Sequence, residues 1–288
     1  MFHRKIVYSL ILFLSVLAAV LGSIVYYSQN SKDLKVIFLD VGQGDAILIE
    51  QGNNQLLIDG GRNGKLLLEK LGKYIPFWDR QIETIVATHP DADHIGGLVD
   101  ALKTYNVKEI IKTKAESDSQ TYKALEEAIN KAKAGKIEAI KGLSLRFNES
   151  AVAEIVYPDY VITAQSSADS NEGSVVVELD FSGEKFLFTG DLPLEQEDEL
   201  NTGKINILKV SHHGSKYATL DKFLDISKPE EAVISVGKNN TYGHPAPEVI
   251  ERLIRHGIKV WRTDEMGDII YECNPAMAVQ SEKCKVEF

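Results

Sequence analysis

The 288-residue chain has little cysteine and little proline, two and eight residues respectively. Two cysteines near the C-terminus, Cys273 and Cys284, exclude a disulfide-dense scaffold and a four-cysteine zinc site. They pair with each other if this part of the chain lies in an oxidising compartment, and otherwise stay thiols. An excess of positive charge is also missing. With 32 Lys and Arg against 42 Asp and Glu the net charge is −10, so a polyanion has no broad basic surface to bind and any phosphate has to be gripped locally. There are no internal repeats and no low-complexity tracts. The 44% hydrophobic and 26% charged composition suits one large globular domain or two small ones, and excludes a disordered, collagen-like or polytopic chain.

Only one long uncharged run exists. It covers 6–27 and follows Arg4 and Lys5. As a helix it would rise about 33 Å, enough to span a hydrocarbon core, and it exceeds the usual apolar stretch of a cleaved signal. The sequence therefore predicts a cytoplasmic tip and transmembrane anchor over 1–28, a linker over 29–33 and one domain over 34–288. Arg4 and Lys5 stay cytoplasmic, which places the domain outside the cell on a single-pass membrane anchor.

Within the domain, apolar runs of strand length at 34–40, 46–50 and 55–59 are separated by Gly42, Gly44, Gly52 and Gly60. Helical periodicity follows at 65–74, 97–105, 119–134, 194–201, 219–226 and 247–256. Strand-like runs stand at 83–88, 107–111, 153–157, 174–179, 185–189, 205–210, 232–236, 259–261 and 268–271. The pattern is α/β, with two sheet layers and helices outside. The polar stretch 165–171 reads as a loop near the site.

The chemistry is densest directly after the apolar run 83–87, in His89-Pro90-Asp91-Ala92-Asp93-His94-Ile95-Gly96-Gly97. The C-terminal edge of such a strand is where ligands bind in open α/β sheets. His89, Asp91, Asp93 and His94 offer four metal-ligand side chains within six residues, whereas a bland helix cap accounts for one acid only. Asp191 ends a very apolar strand, where a carboxylate needs a partner or serves to cap the helix after Pro193. His212 and His213 are adjacent at a strand end. Extended geometry would point them oppositely, which favours His212 as the ligand and leaves His213 either behind the ligands in support of them or acting on a leaving group. His244 precedes a helix start and is kept neutral there, as a ligand or proton-transfer group. His256 and His3 stand outside the site.

The His-x-Asp-x-Asp-His segment followed by Gly-Gly resembles the His-x-His-x-Asp-His signature of the metallo-β-lactamase fold, with aspartate in the second place. More narrowly, the chain resembles the extracellular metallo-β-lactamase-like domain of the ComEC family of DNA-uptake proteins. The further matches are Leu39-Asp-Val-Gly-Gln-Gly-Asp-Ala46, Leu57-Ile-Asp-Gly-Gly61, Phe186-Leu-Phe-Thr-Gly-Asp191, Leu208-Lys-Val-Ser-His-His-Gly-Ser215, Ile234-Ser-Val-Gly-Lys-Asn-Asn-Thr-Tyr-Gly-His-Pro245 and Arg262-Thr-Asp264. The resemblance runs from about 34 to 272. It implies an αββα four-layer sandwich with a metal site between the sheets, Asp191 bridging two metals, and a nuclease acting during DNA uptake. Function taken from a fold still has to be argued from the site.

The chain also departs from the general pattern. No histidine occurs between His94 and Asp191. Asn171 or Glu172, in the loop 170–174, substitutes for the missing third histidine or leaves the place to water. Oxygen-rich ligation by His89, Asp91, Asp93, His94, Asp191 and His212 draws one or two divalent ions. Zinc and manganese lead, with magnesium as a third choice. The expected reaction is metal-assisted hydrolysis of a phosphodiester, DNA above all, beside a separate uptake channel. Asp93 orients the attacking hydroxide and His213 or His244 serves the departing oxygen. Lys209, Ser215, Lys216 and Asn240 flank the site as phosphate-holding candidates or as plain surface residues. A lactonase or cell-wall phosphodiesterase on the same fold is the rival reading, and a non-catalytic tethered module is another.

Overall fold

The computed structural model describes residues 2–29, 31–147, 150–162, 170–275 and 283–288. Fifteen strands form among them. β1 (Leu34–Phe38), β2 (Ile47–Gln51), β3 (Asn54–Ile58), β4 (Gln81–Ala87), β5 (Asn106–Lys112) and β6 (Gly135–Glu138) precede β7 (Ser144–Arg146), β8 (Ala151–Tyr157), β9 (Val176–Phe181) and β10 (Glu184–Phe188). The chain then adds β11 (Ile207–Lys209), β12 (Glu231–Ile234), β13 (Lys259–Arg262), β14 (Ile269–Cys273) and β15 (Cys284–Glu287). They make an eight-stranded sheet ordered β15-β14-β1-β2-β3-β4-β5-β6 and a seven-stranded sheet ordered β13-β12-β11-β10-β9-β8-β7.

Side-chain alternation explains why the two sheets stack. Val36, Phe38, Ile47, Ile49, Leu56 and Ile58 of the first sheet meet Val177, Leu179, Phe181, Phe186 and Phe188 of the second in one core. The intervening Ile37, Leu48 and Leu57 face outward onto helices Gly64–Tyr74, Leu98–Thr104 and Gln120–Ala132. Leu187, Leu208 and Ala232 do the same against Asp221–Ser227 and Pro247–Arg255. The expected αββα sandwich is therefore present. Short strands that the sequence pattern did not mark, β6, β7 and β15, lie at sheet edges where half of each strand faces solvent and alternation is weak. Cys273 and Cys284 face one another across the β14–β15 ladder and are disulfide-bonded.

The N-terminal segment is a helix, Phe2–Gln29, and Ile6, Leu10, Phe13 and Leu17 on it are exposed. Among the described residues, however, no helix is long and apolar enough to cross a membrane. The side chains described without a break on this helix run from 4 to 20, which is about 26 Å against the roughly 30 Å of a hydrocarbon core, and they begin with Arg4 and Lys5. Residue 30 of the expected linker and 165–169 of the expected polar loop lie outside the described residues.

Candidate metal centre

The parallel strands β3 and β4 end side by side, so the residues that follow them meet. Asp59 sits in the left-handed region at φ 58 and turns its carboxylate across the sheet edge. Thr88 donates to it twice, from its amide at 2.9 Å to Oδ1 and from its hydroxyl at 2.6 Å to Oδ2. His94 Nδ1 donates to the same Oδ2 at 2.7 Å, and His89 Nδ1 donates to the Thr88 hydroxyl at 3.0 Å. One buried carboxylate thus orients both imidazoles of the His-x-Asp-x-Asp-His segment, directly or through a hydroxyl, and leaves each with its Nε2 pointing away.

The second sheet supplies the facing side. Asp191 follows β10 through Thr189 and Gly190, and its amide donates to Ser174 Oγ at 3.3 Å. No side-chain bond caps the helix Leu194–Glu197, so the capping role does not apply to Asp191. His213 Nδ1 donates to the Ser235 carbonyl at 2.9 Å, with Asp45 Oδ1 3.4 Å away. Asp191 Oδ2 then lies 3.9 Å from His89 Nε2, 3.3 Å from His94 Nε2 and 3.5 Å from His213 Nε2. All three nitrogens are buried and carry no hydrogen bond. Buried ring nitrogens rarely go unpartnered, and three of them converging on one carboxylate oxygen fit a divalent cation with mixed nitrogen and oxygen ligands. Ligand-type atoms within 4.8 Å of one another group as His89, His94 and Asp191, as Asp93, His94 and His213, as Asp45, Asp191 and His213, and as Asp45, Asp59 and His94. The donor set therefore suits one cation, or two sharing Asp191.

Electrostatics follow from burial and from these neighbours. Burial, with His94 beside it, pulls His89 down to about 3, so its ring is neutral. Burial works against charge on His94 too, but Asp191 and Asp59 outweigh it and hold that imidazole well above its usual value. His213 is raised in the same way, by Asp191 and Asp45 against burial. Burial opposes ionisation of Asp191, yet His213, His94 and Lys209 keep it well below the ordinary carboxylate range. Without a cation, protons on His94 and His213 would balance the acids.

Several expected residues sit elsewhere than the sequence placed them. His212 and His213 are not extended; both adopt left-handed backbone, φ 48 and 54, in the turn Ser211–Gly214. Both rings consequently approach Asp191, and it is His213 that is buried in the cluster, while His212 keeps a third of its side chain exposed with Nε2 at 3.8 Å from Asp191. Gly214 makes this turn possible, since at φ 80 a Cβ there would lie 2.6 Å from Pro245. Asp91 stands at the rim, its Oδ1 accepting from Ser170 at 2.7 Å and its Oδ2 3.9 Å from His89 Nε2. Asp93 is nearer the middle, 3.8 Å from His213 Nε2, with Arg62 at 3.9 Å on its outer side. His244 stacks on Tyr242 and lies 5.7 Å from His212 ring to ring, and burial lowers its basicity. Glu172 belongs to none of the histidine and acid groupings among the described residues.

The four phosphate candidates divide differently. Lys209 is fully buried; its ammonium contacts Asp45, lies 3.7 Å from Asp191 and donates to the Gly190 carbonyl at 2.7 Å. It braces the carboxylates from behind and cannot reach a substrate. Asn240 is consumed by its own loop, donating to the carbonyls of Gly237 and His244 and accepting from the His244 amide. Ser215 is buried and accepts from the Tyr217 amide. Lys216 alone is exposed, its ammonium 4.8 Å over the Tyr217 ring.

Two contributors escaped the sequence reading, Asp45 and Asp59. Both stand in glycine-punctuated motifs, Gly44-Asp45 and Asp59-Gly60-Gly61, and an acid directly beside a turn glycine was the available signal. Gly44 lets its loop lie against Asp93, because a Cβ there would fall 1.9 Å from the Asp93 carbonyl oxygen.

An αββα sandwich with histidines and aspartates from both sheets gathered at one edge defines a class, and the chain belongs to the Metallo-beta-lactamase superfamily, whose model matches residues 39–238. Its relatives are competence proteins of the ComEC type. ComE operon protein 3 of Bacillus subtilis (strain 168) is 33% identical over 273 residues, covering 85% of this chain and 34% of that protein. Competence protein ComA of Neisseria gonorrhoeae is 29% identical over 239 residues, covering 79% of this chain and 30% of that protein. The chain thus spans about a third of the length of these relatives. Among solved structures, the metallo-beta-lactamase fold protein YhfI from Bacillus subtilis superposes with a TM-score of 0.56 at 11% identity, over 84% of this chain and 100% of that one, which shows a shared fold.

Proposed function

We propose that the protein is a metal-dependent phosphodiesterase that cleaves DNA outside the cell, held at the membrane by its N-terminal helix. The observation that carries the hydrolase reading is the set of three unpartnered, buried Nε2 atoms around Asp191 Oδ2. When bound, a divalent cation supplies Lewis acidity and neutralises charge on a phosphoryl group. The chain's own residues do the rest. His89, His94, His213 and Asp191 would hold the cation, with Asp59, Thr88 and the Ser235 carbonyl fixing the ring tautomers. Asp93, partly open to solvent, is placed to orient an attacking water. His244, half-buried beside His212 and kept neutral by burial, is placed to serve the leaving oxygen. Arg62 and Lys216, both exposed, are the cations positioned to meet a phosphate from solvent.

DNA as substrate, and a separate uptake channel as partner, are supported by the relationship to competence proteins. The outside location is supported by Arg4 and Lys5 ahead of the uncharged run 6–27 and by the Cys273–Cys284 disulfide, a bond of oxidising compartments. The test is to load the full chain in detergent with manganese or zinc and supply single-stranded DNA, bis-p-nitrophenyl phosphate and a lactone panel. Release of nucleotides is expected, and Asp191→Asn should abolish it while the near-ultraviolet dichroism of the fold is unchanged. Lactone opening without DNA loss would replace the nuclease reading with that of a different hydrolase on the same fold.

A further inference from the structure

At the end of the sandwich opposite the metal centre, the chain displays two large aromatic side chains that do no packing. Phe77 and Trp78 are 79% and 55% exposed and touch each other edge to face, with ring centroids 4.9 Å apart. Their exposure is built in. They are the two central residues of a tight turn closed by the Asp79 amide donating to the Pro76 carbonyl at 2.8 Å, and Ile75, just before the turn, is buried. Asp79 locks the turn to the sheet, accepting from the Gln81 amide at 3.0 Å and from Gln55 Nε2 at 3.1 Å. A hydrogen-bonded turn that lifts adjacent Phe and Trp into solvent is costly in water and points to a contact surface.

The same edge is where the N-terminal helix joins the domain. Leu34, at the start of β1, pairs with Gln51, which pairs with Asn54 at the start of β3, and β3 runs beside β4. Gln51 Nε2 donates to the Lys32 carbonyl at 2.8 Å, tying the segment that follows the helix Phe2–Gln29 to this edge. The start of β4, three residues after Trp78, is therefore about three strand spacings, roughly 14 Å, to the side of the chain's point of entry. The seven residues of β4 separate it from His89 by about 25 Å along the strand direction. The edge also carries charges of both signs, exposed Lys32 beside exposed Asp33 and exposed Arg80 beside partly exposed Asp79.

We infer that Phe77 and Trp78 insert into the interfacial layer of the lipid bilayer to which the N-terminal helix attaches the protein, so that this edge rests on the membrane and the metal centre faces away from it. The inference rests on the membrane-attached reading above. An aromatic pair at headgroup depth is what the boundary between water and acyl chains favours. Two attachment points roughly three strand spacings apart, rather than one flexible tether, would fix which way the site faces.

The experiment uses the full chain reconstituted in phosphatidylcholine and phosphatidylglycerol vesicles. Its two tryptophans are Trp78 and Trp261, so Trp261→Phe reports on Trp78 alone and Trp78→Phe reports on Trp261 alone. Acyl-chain bromination of the lipids should quench the Trp261→Phe protein several-fold more than the Trp78→Phe protein, and acrylamide in the water should reach Trp78 less in vesicles than in detergent. Phe77→Ser should reduce the bromine quenching while flotation with vesicles persists. Should the chain float while Trp78 ignores bromine and stays open to acrylamide, the inference fails and the anchor stands. Shielding from acrylamide without bromine quenching would mean that protein, such as a second copy, covers the pair, which also overturns it. A chain that does not float with vesicles removes the anchor and this surface together.

Discussion

His94 Nδ1 donates to Asp59 Oδ2 at 2.7 Å, and neither side chain has any exposure to solvent. The bond fixes which nitrogen of His94 carries the proton and so leaves Nε2 open to a cation.

Replacing Asp59 with asparagine keeps the shape and removes the charge. The expected result is a loss of metal affinity of about 10- to 100-fold in competitive titration, with the fold retained. Unchanged affinity would show that the ring is oriented by packing alone.

Lys209 gives the opposite kind of prediction. It is a buried cation against Asp45 and Asp191, so Lys209→Met strands two carboxylates and should lower the stability of the metal-free protein by about 3–5 kcal/mol in denaturant melts. Added divalent cation should recover part of that loss. A variant of normal stability but weakened substrate binding would instead return Lys209 to a phosphate-contacting role.

Acidity and metal binding are linked. Asp45 is lowered from 3.8 to about 2, because Lys209 and the histidines overcome the burial that opposes its charge; the stability it lends is present above 3.8 and lost as pH falls through about 2. His94 and His213 are raised above 6.5, so their contribution is complete below 6.5 and is lost as pH rises through their folded values. His89, held down to about 3, works the other way and takes stability away as pH falls below 6.5, so the metal-free protein should melt highest near pH 6.5 and weaken toward both acid and alkaline pH. Cation binding has to displace protons from these two rings, and the thermal gain from manganese or zinc should be larger at alkaline than at mildly acid pH. A gain that does not vary with pH would contradict protonated imidazoles in the metal-free site.

The disulfide closes a loop of 11 residues' separation, and β15 is an edge strand whose only partner in the sheet is β14, with Cys284 and Val286 packed on the shared core. Cys284→Ser should cost about 3 kcal/mol or less and leave metal content unchanged. Loss of bound metal in that variant would show that the C-terminal edge is coupled to the centre.

What the sequence revealed depends on how local each feature is. His89, Asp91, Asp93 and His94 lie within six residues on one strand-to-helix turn, so their grouping could be read without knowing the fold. The sandwich could be read too, because β1, β2 and β10 are short, nearly continuous apolar runs, as strands covered on both faces should be. Asp45 and Asp59 were invisible as site residues, since their roles arise only when two loops distant in sequence fold over the same edge. Lys209 was misplaced because a lysine was read as surface, whereas β11 lies between β10 and β12 with both faces covered. Its strand neighbours Ile207 and Leu208 were the warning. The exchange of His212 for His213 as the buried ring has a backbone cause: a strand continued through that point would have separated the two rings, but the left-handed turn brings them together.

The residues around Asp191 Oδ2 come from both layers, His89 and His94 from the segment after β4 of the eight-stranded sheet, His94 on the short helix Ala92–Ile95, and Asp191 and His213 from segments after strands of the seven-stranded one. An ion seated among them would act as a rivet through the lip of the sandwich, opposing any sliding of one layer over the other. Chelation should then be felt far from the lip, as faster amide exchange in the shared core of Phe38, Phe186 and Phe188, and not merely as idle chemistry at an otherwise intact edge.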